Sequence, residues 1–125
     1  MDVIATDTAP KAIGPYSQAI VANGLLFTSG QIPLDPATGN LVEGDFATHA
    51  RRVFDNLRAV LRGAGTDFSR VTKATVYLTD LANFQTLNSI YAECFGNHKP
   101  ARTTVGVASL PKGAQLEIDL IALVK

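Results

Sequence analysis

Residues 115–124 constrain the fold more than any other stretch. Leu116, Ile118, Leu120 and Ala122 fall on one side of an extended chain and Ile121 and Leu123 on the other. Side chains alternate along a strand, so this one is expected to lose water on both faces and to run through the interior of a sheet. Glu117 stands in the middle of a strand read as otherwise apolar. Residues 71–79, rich in β-branched side chains and carrying Tyr77, predict a second central strand. Asn23-Gly24 between apolar runs at 17–21 and 25–29 predicts a hairpin, because both turn residues tolerate positive φ. Residues 3–5 predict a short first strand and residues 102–108 a further one.

Two stretches carry the helical period instead. From the candidate cap Asp45, the residues Phe46, Ala50, Val53, Phe54, Leu57, Val60, Leu61 and Ala64 recur every three or four positions. His49, Arg51, Arg52, Asp55, Arg58 and Arg62 occupy the other side and read as a solvated face. A second helix is expected from about residue 82 to 95, with Phe84, Leu87, Tyr91 and Phe95 inward. The segment 31–44, with Pro33, Pro36 and Gly39, reads as a surface loop. The order is β-β-β-α-β-α-β-β, an α+β class with a mixed six-stranded β-sheet and both helices on one face. Two helices leave the second sheet face bare, and the expected cover is another copy of the chain.

The 125 residues suit one domain spanning 1–125, and 46% hydrophobic content suffices for a core. Eleven basic residues balance eleven acidic ones, with the six arginines and five lysines scattered, so the chain lacks the field that gathers nucleic acid. One cysteine, Cys94, excludes an internal disulfide and favours a reducing compartment. Charges at Asp2, Asp7 and Lys11 break any signal-peptide core, and glycines and prolines interrupt the uncharged stretch 12–34. The expectation is a cytoplasmic protein without membrane insertion.

Walker, G-x-G-x-x-G, paired-cysteine and H-E-x-x-H patterns are missing, so neither a nucleotide cofactor nor a metal is expected. His49 and His98 are isolated, and Cys94 lacks a neighbouring base in sequence, which suits a packed thiol. What remains is polar groups at strand ends and loop junctions, where binding residues concentrate. Tyr16 and Ser17 enter one strand, and Ser29, Gly30 and Gln31 end the hairpin. Asn88 lies off the apolar stripe of the second helix and reads equally as an exposed amide. Arg102 starts a strand and suits bidentate carboxylate binding, yet a surface charge is the plainer reading. A carboxylate within an apolar strand must be paired, solvated in a cleft or shifted in pKa. Glu117 is thus either a general base or one half of a structural ion pair, with Arg102 as a candidate partner.

Four segments break this tie. Gly14-Pro15-Tyr16-Ser17-Gln18-Ala19, Phe27-Thr28-Ser29-Gly30-Gln31-Ile32-Pro33, Pro100-Ala101-Arg102-Thr103-Thr104-Val105 and Leu110-Pro111-Lys112-Gly113-Ala114-Gln115-Leu116-Glu117-Ile118 occur in the order and spacing of the RidA (YjgF-type) family, which the chain resembles along nearly its whole length. The resemblance implies a chorismate-mutase-like fold and a homotrimer with sheets inside, helices outside and ligand clefts between subunits. It also implies cofactor-free hydrolysis of 2-imino acids such as 2-iminobutanoate and 2-iminopropanoate. Arg102 would bind the carboxylate and Glu117 handle the water, with Tyr16, Ser29, Gly30, Gln31, Asn88 and Thr104 lining the pocket. Thr104 stands where cysteine is common in the family, and Lys99 stands where an aromatic residue is often found, in a short loop. A non-catalytic carboxylate binder is the competing class; RNA cleavage, reported for some relatives, fits poorly with neutral charge and no histidine pair.

Overall fold

The computed structural model describes residues 1–124. Six strands, β1 Asp2–Ile4, β2 Ala19–Ala22, β3 Leu25–Thr28, β4 Val71–Leu78, β5 Ala101–Gly106 and β6 Leu116–Leu123, form one sheet in the order β1-β2-β3-β6-β4-β5. β4 and β5 run parallel and the other neighbours antiparallel. The helices are α1, Phe46–Gly63, and α2, Phe84–Phe95, the latter crossing over between the two parallel strands. The expected order and class are found, with β6 interior between β3 and β4.

Local chemistry sets the boundaries. Asn23 and Gly24 take φ of 52° and 75°, turning β2 into β3. The Asp45 carboxylate accepts from the Thr48 backbone N–H at 2.9 Å, capping α1 and holding the Asp45 carboxyl below its usual range. Asp80 opens a 3-10 turn, Leu81–Asn83, so that α2 proper starts at Phe84, later than expected.

Both helices pack on one sheet face. Val53, Leu57, Val60 and Leu61 of α1 and Leu87 of α2 meet Ala74, Val76 and Leu78 of β4 and Leu116, Ile118 and Leu120 of β6, all at most 1% exposed. Each fully buried Leu, Ile or Val side chain contributes about 1.5–3 kcal/mol of transfer free energy. Strand register puts Val3, Phe27, Val105 and Leu123 on the opposite face, where they are 38–66% exposed. This is the apolar face that two helices cannot reach.

The loop 31–44 departs from expectation at its start. Gln31 bridges Ile118 and Leu34 bridges Leu41, and Gln31 and Pro33 are buried. The cause is Asn56, 1% exposed on α1, whose Nδ2 donates to the carbonyls of Leu34 at 2.9 Å and Ile32 at 3.4 Å. No helix is long and apolar enough to cross a membrane among the described residues.

Candidate active site

The residues picked out from sequence fall into two groups on opposite faces of the sheet. Glu117 pairs with Tyr77 on β4, on the bare face; Arg102 and Thr104 pair with Ala74 and Val76, on the helix face. Among the described residues Arg102 and Glu117 therefore form no ion pair with each other within one chain.

The Glu117 group gathers at the end of the hairpin. Tyr16, Ser29, Gly30, Gln31 and Glu117 line one open groove of about 510 Å³, with Lys11 and Lys112 at its walls. Ser29 donates its hydroxyl to the Ser17 carbonyl, fixing the strand end. Gln31 is stitched to β6 by N–H to Ile118 carbonyl at 2.9 Å and the return bond at 3.1 Å. That stitching lays Gly30 flat against the Glu117 side chain. A Cβ on Gly30 would lie 2.6 Å from the Glu117 carboxyl carbon and 2.9 Å from its Cγ, so only glycine admits the carboxylate there.

Burial pushes the Glu117 carboxyl above its ordinary 4.5, and the like charge of Asp119 adds to the rise. Asp119 corrects the sequence reading, in which Glu117 stood alone. It lies two residues on, on the same face, and burial raises its carboxyl too, the Tyr77 hydroxyl opposing as a donor. The alternation that picked out Glu117 should have picked out Asp119 as well.

Gln18, a residue of the first motif, is buried at 5% exposure. Its Nε2 donates to the carbonyls of Pro10 at 2.8 Å and Thr6 at 3.0 Å, while its Oε1 accepts from the Thr6 N–H at 2.7 Å. One buried amide thereby folds the N-terminal loop into a groove wall.

The Arg102 group lies across the sheet, where α2 faces β5. Arg102 Nη1 donates to Asn88 Oδ1 at 2.7 Å, so Asn88 is not the idle exposed amide that its position on α2 also allowed. The guanidinium carbon stands 4.8 Å from the Tyr91 ring centroid and 5.4 Å from that of Phe84. Tyr91 is itself fixed by Phe54 and Phe95, at centroid distances of 6.0 and 4.5 Å. An aromatic cluster of the core thus sets the aim of a charged side chain. Among the described residues no carboxylate pairs with Arg102, which leaves most of its five donors free. Asn88, Tyr91, Phe95, Lys99 and Arg102 line a groove of about 460 Å³. Thr104 keeps its hydroxyl oxygen buried without a hydrogen-bond partner.

No group of three or more metal-ligating side chains occurs among the described residues. His98 is engaged by the Val71 carbonyl at 2.6 Å, and burial raises the Cys94 thiol. Neither is poised as a nucleophile or ligand.

The family model described as Endoribonuclease L-PSP matches residues 6–124. The chain belongs to this family, the YjgF/RidA family. A RutC family protein of Pyrococcus horikoshii is 51% identical, with 97% of this chain and 96% of that protein covered. Human 2-iminobutanoate/2-iminopropanoate deaminase is 46% identical over 97% of this chain and 88% of its own. Among solved structures, RidA from the Antarctic bacterium Psychrobacter matches at a TM-score of 0.94 and 41% identity, covering 98% of this chain and 99% of that one. E. coli TdcF, solved with bound serine, matches at a TM-score of 0.93 and 41% identity, covering 98% of each chain. The family's members thus include imine deaminases, alongside proteins named for other activities.

Proposed function

We propose that this chain hydrolyses 2-imino acids, including 2-iminobutanoate and 2-iminopropanoate, to 2-keto acids and ammonia, at a cleft completed between two copies of the chain. The observation that carries the reading is Arg102. It is a guanidinium held by an amide and two aromatic rings, facing a groove and, among the described residues, lacking an acidic partner. Such a group is preorganised for a ligand carboxylate, which it binds through two charge-assisted hydrogen bonds. Human 2-iminobutanoate/2-iminopropanoate deaminase, 46% identical, and the serine in TdcF, itself an α-amino acid, agree with that ligand class.

The chemistry needs little beyond positioning, because a protonated imine is already an electrophile. Glu117, in its ionised form, takes a proton from water as the water oxygen bonds to C2. Glu117 returns that proton to the carbinolamine nitrogen, the C–N bond breaks as the C2 hydroxyl becomes the keto carbonyl and gives its proton to the freed carboxylate, and the departing ammonia carries that proton away as ammonium. Tyr16, Ser29 and Gly30 border the carboxylate, and the backbone at Gly30 lies open to a close approach.

Arg102 and Glu117 face opposite sides of one sheet, so a single chain cannot bring both to one substrate. The bare apolar face gives a second copy a place to dock, and the family homotrimer suits that geometry. Charge balance and the single-domain, disulfide-free sequence are in keeping with a cytoplasmic enzyme. The test is Arg102→Ala in a coupled dehydratase assay, with imines generated from serine and threonine. The variant should lose imine hydrolysis while sedimenting as the wild type does. Full retained activity would refute the assignment.

A further inference from the structure

The two grooves hold more positive charge than the proposed substrates need. Lys99 and Arg102 line one; Lys11 and Lys112 line the other, where Glu117 is the one carboxylate. The whole chain balances eleven basic residues with eleven acidic ones, so this excess is local to the candidate site. Among the described residues none of these four cations forms an ion pair; those pairs all lie on α1 arginines. Lys112 holds this place at a left-handed φ of 58°, a conformation that costs a non-glycine residue energy and that clusters at functional sites.

A short aliphatic imino acid carries one carboxylate, and Arg102 suffices for it. The remaining room lies beside the loop between α2 and β5, in a groove of about 460 Å³ whose floor is Tyr91 and Phe95 and whose rim is Lys99. An ammonium at the rim of such a groove attracts a second anionic group on the substrate side chain, and a like-charged rim repels cationic side chains.

From Lys99, a second cation lining the Arg102 groove and without an ion-pair partner among the described residues, we infer that the site accepts dicarboxylic 2-imino acids, the imines of aspartate and glutamate, with Lys99 taking the side-chain carboxylate. This rests on the assignment of Arg102 as the carboxylate-binding residue. It goes beyond that assignment by naming the side-chain chemistry the cleft selects.

The test uses the assembled full-length protein, with imines made in place by amino-acid oxidases from aspartate and from alanine and followed by semicarbazide trapping. Wild-type protein should hydrolyse the dicarboxylic imine at least as efficiently as the neutral one. Lys99→Met should lower the dicarboxylic-to-neutral ratio of kcat/KM by about three-fold and Lys99→Glu by about ten-fold, as expected for a partly exposed charge pair removed or reversed. An unmoved ratio in Lys99→Glu, with both imines still hydrolysed, overturns this inference and leaves the deaminase reading intact. Calorimetry decides the matter independently of turnover, using 2-ketoglutarate, 2-ketobutyrate and inorganic phosphate as probes. Tighter binding of 2-ketoglutarate, lost in Lys99→Glu, supports the inference even if no imine is hydrolysed, in which case the deaminase reading fails alone. Equal competition by phosphate would show a general anion site and refute it.

Discussion

Gly30→Ala separates the geometry of the candidate base from its mere presence. The new Cβ would lie 2.6 Å from the Glu117 carboxyl carbon and closer still to its Oε2, where 3.4 Å is ordinary contact, so the carboxylate must retreat by about 1 Å or more. It can do so without unfolding the sheet, because Glu117 is half-buried and its end faces an open groove. The backbone at Gly30 is not in the left-handed region, so alanine introduces no φ strain there. A misplacement of about 1 Å costs roughly a hundred-fold in rate, or about 2.7 kcal/mol of barrier. The expected result is kcat down about a hundred-fold with KM changed far less, since the carboxylate-binding Arg102 is untouched. Steady-state kinetics with threonine-derived imine, beside a thermal melt, measure both quantities. If Gly30→Ala kept wild-type kcat while Glu117→Gln lost it, the claim that this glycine places the base would be wrong.

The acid limb of the pH–kcat profile should lie above 4.5, because Glu117 must be ionised to act and burial and Asp119 raise its pKa; Asp119→Asn should move that limb to lower pH. The sign for stability is opposite: raised carboxyls favour the folded state most in acid, and that contribution is lost as pH rises through their folded values. Asn56→Leu strands the carbonyls of Ile32 and Leu34 and should cost about 1–3 kcal/mol in urea unfolding, loosening the loop that carries Gln31. An unchanged midpoint would show that the amide does not hold the loop.

The fold was largely legible because its strongest signals are local. Asn23-Gly24 dictates a turn by backbone conformation, the α1 stripe a helix by spacing, and the apolar Leu116, Ile118, Leu120 and Ala122 an interior strand, although β6 is buried on that face alone. The bare sheet face could also be anticipated by counting helices against faces. The site was legible as a set of residues but not as an arrangement. Nothing in the order of residues tells that Arg102 points toward α2 while Glu117 points away, since that depends on the register of β5 and β6 against β4. Asn56 and Gln18 were missed for a different reason: a buried amide is recognised by the carbonyls it satisfies, and those come from distant loops. A polar residue on the buried side of an apolar helix was the available clue for Asn56. Asp119 needed only the two-residue period.

Mixing two dead variants tests the central claim most directly. Arg102→Ala and Glu117→Gln, each inactive alone, are unfolded together in equal amounts, refolded and assayed. If every site draws its arginine and its carboxylate from different chains, random assembly leaves about one quarter of sites intact and restores activity in that proportion. No activity in a mixture shown by mass spectrometry to contain hetero-oligomers would contradict a site shared between copies.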